Sequence, residues 1–535
     1  MAKRVLHRFI RVYFTADLRS LAAGRIVLAL VLLLDLAKRW AQLDSWYTND
    51  GLVPNHTLLW RPAFTPVFSL FYLASYTQEA TFGFVICACA YSALLIGFRT
   101  RIAQLASLVC LLSLHGRLLI FDNGGDVVLG LLCIWTTFLP TGTYASVDAV
   151  LARRRAALEL GEDALRAVED SRGVAPTWVS LAVCALTLQL AAIYFFNAAH
   201  KTGATWREGS AVHYVLHLDR LSTGFAVWLR ARMTPTISHV LTFGALGTEW
   251  LLPVLLLSPV ALRACRNLAI LLVISLHTGF ALCLNLGVFV PAMIAFTPNF
   301  LSSEDWELLS RWRMRAGPVA RWARRLCERS ATMIERAAAL LSPGASRRVS
   351  EPGPAARAFA RQLPALRELT IAATLFVAGN QLLDENQAAH RVIDHHNSPP
   401  IAAAVTYLAL FQGWSMFAPD APTTDLNLVV DAITVDDRHV DPFNQVANPR
   451  YPAPGETIPS ALGTGWLFYG YVNRIPGYPA YDQALQEWIL RYPERTRRPS
   501  DRIRSFRVLT VEDDSPPLGA RMPSNTRSRL LFQYP

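Results

Sequence analysis

Of the 51 basic residues in this 535-residue chain only three are lysines, Lys3, Lys38 and Lys201. Lys201 stands in Asn197-Ala-Ala-His200-Lys201-Thr-Gly-Ala-Thr-Trp206-Arg207-Glu208-Gly209, directly after an apolar run. The two cations differ in one respect that matters for chemistry: a desolvated lysine can give up its proton and serve as a base, whereas arginine keeps its charge. Lys201 is therefore the first candidate for proton transfer. The plainer account is that an arginine-rich composition leaves a few lysines by chance, one of them at a membrane boundary.

Other ionisable groups fall within apolar runs, where each is costly and marks either function or a buried partner. Asp122-Asn-Gly-Gly-Asp126 opens such a run on the side expected for Lys201. Asp126 suits a helix cap at the positive end of the dipole, and its placement also makes it a salt-bridge or proton partner for the amine. Glu249, in Gly247-Thr-Glu-Trp250, and His277 each lie inside a run, either as satisfied core groups or, with Lys201, as the lining of a polar cavity. Arg25 and Asp35 bracket the first run, too far apart to meet on one straight helix, so each needs another partner or the interface. His213 and His217 share a helical face as a metal-binding pair would, but no third ligand is evident, and no metal is expected. Walker, GxSxG and HExxH motifs are absent, so an enzymatic reading rests on a membrane-embedded base.

The elements that must position these groups follow from composition. The chain is 52% hydrophobic and 17% charged, too apolar for an ordinary soluble protein of this length. Apolar blocks approaching the roughly 20 residues that cross about 30 Å of hydrocarbon lie near 20–37, 80–98, 102–121, 125–143, 177–197, 237–258, 266–283 and 285–299. A ninth lies near 369–384, and 400–418 is a tenth or an interfacial helix. The expected fold class is a multi-pass transmembrane helical bundle of about 8–10 helices, all-α apart from a small C-terminal β-containing domain. Residues 1–301 form the membrane core, 302–368 a basic cytoplasmic linker, 369–418 one or two further membrane helices, and 419–535 an α+β domain. Strands are read at Leu426–Val435, Arg507–Val511 and Leu530–Tyr534, a helix at Tyr481–Tyr492, and turns at Asp436-Asp437 and Pro452–Gly455.

Arginines alternate between sides. Arg4, Arg8 and Arg11 precede the first run, and Arg99/Arg101, Arg153–Arg155 and Arg263/Arg266 fall two crossings apart thereafter, so the N-terminus is expected in the cytoplasm. The net charge of +11 sits beside membrane runs without a recognition module, so the expected partners are membrane lipids rather than nucleic acid. The eight cysteines lie in runs or in the basic stretch and form neither a disulfide framework nor a zinc-finger spacing.

Several short motifs occur together in order: Phe98-Arg-Thr-Arg101, Asn123-Gly-Gly-Asp126, Phe138-Leu-Pro-Thr-Gly142 with Ser146-Val-Asp148, Tyr47-Thr-Asn-Asp-Gly-Leu-Val-Pro54 and Gln412-Gly-Trp-Ser-Met-Phe-Ala-Pro419. Their set resembles the bacterial branch of the vitamin K-dependent gamma-carboxylase family, which carries the horizontally transferred transmembrane domain, over about 15–300 and more loosely 400–440. The resemblance implies a lyase of the bacterial plasma membrane using a reduced quinone of the vitamin K type, with a protein or peptide substrate. Lys201-Thr-Gly-Ala-Thr-Trp206-Arg-Glu208-Gly209 matches the family's base motif and implies that Lys201 deprotonates the quinol. The family's second functional histidine falls where this chain reads Asn123-Gly-Gly-Asp126. Beside this stands a non-enzymatic reading, an assembly, secretion or small-molecule-handling factor that keeps the fold.

With eight crossings before the basic stretch, a reporter fused near Arg325 is expected in the cytoplasm and one in 200–232 outside it. Labelling of the 200–232 loop from the cytoplasmic side would refute this topology.

Overall fold

The computed structural model describes residues 2–59, 67–161, 176–315, 329, 332–333, 336, 354–447, 466–474, 479–520 and 525–535. Arg325, the arginines around 347 and the turn expected at Pro452–Gly455 lie outside the described residues.

The chain begins with α1 (Ala2–Tyr13) and continues through α2 (Leu18–Trp40), α3 (Thr77–Ile96), α4 (Thr100–Arg117), α5 (Gly124–Thr137) and α6 (Val147–Leu160). Then follow α7 (Leu181–His200), α8 (Pro235–Leu257), α9 (Leu262–Cys283) and α10 (Phe289–Phe296). Caps explain several boundaries: Asp17, Asn123, Ser146, Ser180 and Thr234 each accept a backbone N–H of the first turn that follows, and α8 has Pro235 in its first turn. A two-stranded ribbon, β1 (Thr15–Asp17) with β2 (Thr177–Val179), ties the starts of α2 and α7 together.

Among the described residues five helices are long and apolar enough to cross a membrane: α2, α3, α7, α8 and α9. Three of the expected crossings, 102–121, 125–143 and 285–299, fall instead on shorter or more polar helices. The helix in the first, α4, buries Gln104, Ser107, His115 and Arg117; α5 has 14 residues, and α10 has eight before a 3₁₀ turn (Thr297–Phe300). α5 packs among neighbours rather than facing outward, so its apolar character is core character, whereas α4 buries its polar side chains and keeps Ile102 and Leu105 exposed. The apolar stretch 369–384 is the second half of α11 (Pro354–Glu385), which starts inside the region read as a linker. Of 400–418 only α12 (Pro399–Leu408) is helical, too short to cross; an irregular strap follows.

The C-terminal sheet has five antiparallel strands in the order β5-β4-β3-β6-β7: β3 (Thr424–Thr434), β4 (His439–Asp441), β5 (Val446–Ala447), β6 (Ile503–Asp514) and β7 (Thr526–Tyr534). The long central pair sets the register at Leu428↔Thr510 and Val430↔Val508. One face of β3 (Leu428, Val430, Ala432) joins the main core with Leu485 and Ile489 of α14 (Ala480–Leu490), preceded by α13 (Trp466–Arg474). The expected strands and helix are thus all present, each a few residues longer or shifted.

The sheet docks on the helical part. Trp466 Nε1 donates to Phe121 O (3.0 Å), and His213 Nε2 bonds Pro516 O (2.7 Å). Arg220 Nη2 donates to Asn444 Oδ1 (2.9 Å), and Trp46 meets Phe468 edge-on at 5.2 Å. The backbone N–H of Asp219 donates to buried Asp425 Oδ2 (3.0 Å). Burial, with Asp219 and Asp513 nearby, raises the Asp425 carboxyl from 3.8 to about 8, against the opposing Asp219 N–H and Arg220. The folded protein therefore holds a proton that the unfolded chain releases, and stability falls as pH rises from about 4 to about 8. Asp425→Asn keeps the acceptor and is expected to flatten this decline, read as melting temperature against pH; parallel profiles for the two proteins would refute it.

Candidate functional site

The end of α7 carries the site. Tyr194, Asn197 and Lys201 follow one another at steps of three and four, so they lie along one face of the helix and its C-cap. The helix stops at His200 because Lys201 leaves helical geometry (φ −77°, ψ 66°). The loop Lys201–Gly203 then turns its backbone toward the strap.

Lys201 Nζ donates to both carboxylate oxygens of Glu249, each at 2.6 Å, and Asn197 Nδ2 donates to Glu249 Oε1 at 3.0 Å. Glu249 is 2% exposed and Lys201 8%. The ammonium also lies over the Trp206 ring, 4.3 Å from its centroid. Two charges removed from water persist only when each is the other's partner and their remaining hydrogen-bonding capacity is met; the pair satisfies this with Asn197 and Trp206. It also joins α7 to α8, which pack along their length.

The strap 410–423 holds this arrangement from the far side. Gln412 and Gln189 exchange amide hydrogen bonds (2.9 and 3.0 Å), and Met416 N donates to Asn197 Oδ1 (3.0 Å). Trp206 Nε1 donates to Phe417 O (2.8 Å), and Gly203 N to Pro419 O (2.9 Å). Asp420 accepts from Thr205 N and Oγ1. His200, next to the lysine, is occupied on both ring nitrogens, Nδ1 with Trp414 O (2.8 Å) and Nε2 accepting from Ala388 N (3.1 Å).

Asn197, Lys201, Trp206, Glu249 and, from the strap, Met416 and Phe417 line a cavity of about 950 Å³. Lys201, Glu249 and His277 all line it, so the three residues expected to share a polar cavity are found on one. His277 Nε2 shares a hydrogen bond with Tyr194 Oη (2.9 Å), while its Nδ1 is buried without a partner. The rest of the wall is largely apolar: Ile193, Leu276, Phe289, Met293 and Met416 among others. Trp466 and Tyr469 of α13 close it from the C-terminal domain.

Asp126 does not join them. It caps α5 by accepting from Asn123 N, and its Oδ1 takes a 2.6 Å hydrogen bond from Arg39 Nη2. Arg39 also chelates Asp35 (2.9 and 3.0 Å) and reaches Tyr47 Oη, and His115 approaches both carboxylates (3.2 and 3.5 Å). The expectation that Asp126 partners the amine is thus corrected: the nearer cation is a guanidinium from α2, and Lys201 is taken by Glu249. Only Asn123 and Gly124 of that helix start reach the cavity. Asp35, His115 and Asp126 bring ligand-type atoms within 4.8 Å of one another, but the Arg39 guanidinium already bridges the two carboxylates. Arg25 likewise finds partners off its helix, donating to Leu94 O and Ala145 O, so both charges of the first run are buried rather than interfacial. His213 and His217 lie with ring centroids 4.5 Å apart and are each bonded to a backbone carbonyl.

Sequence reading missed Asn197, Tyr194 and the strap. The first two carried a signal, the helical spacing that ends on Lys201. Comparison of the chain with protein-family models, curated proteins and solved structures finds no match.

Removing one member of a buried pair leaves the other uncompensated, at a cost of about 3–5 kcal/mol. Glu249→Leu is therefore expected to lower the melting temperature in detergent, and Glu249→Leu with Lys201→Met to regain most of the loss. Additive losses would show that the two side chains do not form a pair.

Proposed function

We propose that this chain is a multi-pass membrane protein whose cavity binds a lipid-soluble, weakly acidic ligand of the quinol class and takes its proton, with Lys201 as base. The observation that carries this reading is a lysine amine buried beside a carboxylate at the polar end of a largely apolar cavity. The resemblance of the Lys201–Gly209 segment to the base motif of the gamma-carboxylase family supports the same reading and suggests a bacterial plasma membrane as its setting.

Proton transfer follows from the pair. A lysine and a glutamate in contact at 2.6 Å exchange one proton between them. With that proton on Glu249, the amine presents a lone pair; it accepts the proton of the ligand hydroxyl, giving an ammonium beside the ligand oxyanion and a neutral Glu249. Asn197 holds the carboxyl side, and Trp206 covers the ammonium. The apolar wall excludes water that would otherwise level the basicity of the amine. Carboxylation of a glutamate side chain would need a further functional group, and the helix start at which the resembled family has its second functional histidine reads Asn123-Gly-Gly-Asp126 here. The proposal therefore ends at deprotonation of the ligand.

One observation favours the non-enzymatic alternative. Both carboxylate oxygens contact the amine, a closed pair that serves equally as a fixed polar floor for a bound small molecule. Lys201→Arg separates the two. Arginine keeps the charge and reaches Glu249 but cannot release a proton. Quinol deprotonation by Lys201→Arg, read as oxidation of the resulting anion by dissolved oxygen in the assay, is expected to fall by about 10²-fold or more, the range of general base catalysis, with membrane insertion and melting unchanged, and Lys201→Ala also to lose co-purifying quinone. Full activity in the arginine variant would leave proton transfer without its base.

A further inference from the structure

The cavity has two unlike ends. At one, Lys201, Glu249 and His277 are buried to 8%, 2% and 1% exposure. At the other, lining residues are themselves exposed: Val240 (67%) and Leu241 (38%) on α8, and Leu282 (53%) on α9. A residue that both lines a cavity and faces outward marks an opening; Phe225 and Asp420 do so as well, but most such residues lie on α8 and α9, so the main opening lies between these two helices. Both helices are among the five of membrane-crossing length, and their outer surfaces near the mouth are apolar, with Phe243, Leu271 and Ile274 exposed. Such a mouth faces hydrocarbon rather than water.

The residues at its edge are small. Gly244 and Thr248 on α8, and Ser275 and Gly279 on α9, line the cavity and are each spaced by four. Small residues at this spacing normally let two helices close on each other. Here a methyl group added at Gly244 or at Gly279 would meet nothing within 4 Å. The glycines are not used for contact; they leave a gap. A cavity of about 950 Å³ is also far larger than the few polar groups at its inner end can engage. One of those groups, His277 Nδ1, is buried with no partner of its own, a polar atom held ready for a ligand.

We propose that the cavity is loaded sideways from the membrane interior, through the gap between α8 and α9. Its ligand is an amphiphile with a compact polar head and one long apolar chain. The head contacts the Lys201–Glu249 pair and His277, and the chain lies between Gly244 and Gly279. This rests on the cavity being a ligand site, as in the function proposed above, but not on Lys201 acting as a base. A quinol with an isoprenoid tail and a free fatty acid share the required chemistry.

The experiment uses the full chain reconstituted in phosphatidylcholine vesicles with two photoreactive probes, each with a diazirine near the end of its chain: an isoprenoid quinol and a fatty acid. Labelling is expected on peptides spanning 237–248 and 272–282. Gly244→Trp with Gly279→Trp is expected to slow labelling by about tenfold or more, within the range over which on-rates vary among variants of one site. Melting temperature is measured beside labelling, so that slowed labelling at an unchanged melting temperature reads a filled gap rather than a weakened fold. The matching alanine pair should behave as wild type. Labelling by one probe alone identifies the head group. Persistence of mouth labelling in Lys201→Arg would uphold sideways loading even where proton transfer fails. Undiminished labelling in the tryptophan pair, labelling confined to 466–474, or none from either probe overturns the proposal.

Discussion

The arrangement turns on one constraint: a lysine and a glutamate, 48 residues apart in sequence, contact each other with both side chains buried. Neither charge tolerates that environment alone, so α7 and α8 are fixed in register by the requirement that Nζ and the carboxylate meet. Asn197 and Trp206 complete the set, and each is itself held by the strap, through Met416 N and Phe417 O. The geometry of the amine is in this way over-determined: moving it costs a charge contact, and moving its supports breaks backbone hydrogen bonds of the strap.

A second buried charge group, centred on Arg39, fixes the opposite side. Its guanidinium ties α2 to the start of α5 through Asp126, and α4 joins through His115. Because Asp126 also caps α5, the same carboxylate sets both where that helix begins and which neighbour it faces. Asn123 and Gly124, which open the helix, are thereby held at the cavity wall. The two charge groups divide the labour: one determines the frame of the wall, and the other supplies the buried ion pair within it.

Much of this was readable from residues. Alternation found β3, β6 and β7 because a strand packed on one side must alternate, and the amphipathic run at 481–492 found α14. Lys201 stood out as a rare lysine at the end of an apolar run, Glu249 and His277 as ionisable groups inside such runs, and all three reach the cavity. Partner choice was not readable: Asp126 faces Arg39 across 87 residues, and nothing local distinguishes that contact from one with Lys201. The lengths of α5 and α10 were hidden for a related reason. Periodicity cannot separate a helix that is apolar because it crosses a membrane from one that is apolar because neighbours surround it. The strap was visible only as a short motif, since its role lies in backbone groups that carry no sequence signature.

The strap joins what sequence keeps apart. Gln412 to Ala421 bond to residues between Gln189 and Trp206, and more than two hundred positions separate the two segments. The site is thus assembled from two stretches of chain that meet through side chains and backbone rather than through the peptide that connects them. Two polypeptides divided in the basic stretch before Pro354 would each hold one side of every one of these bonds, so the site belongs to neither segment alone.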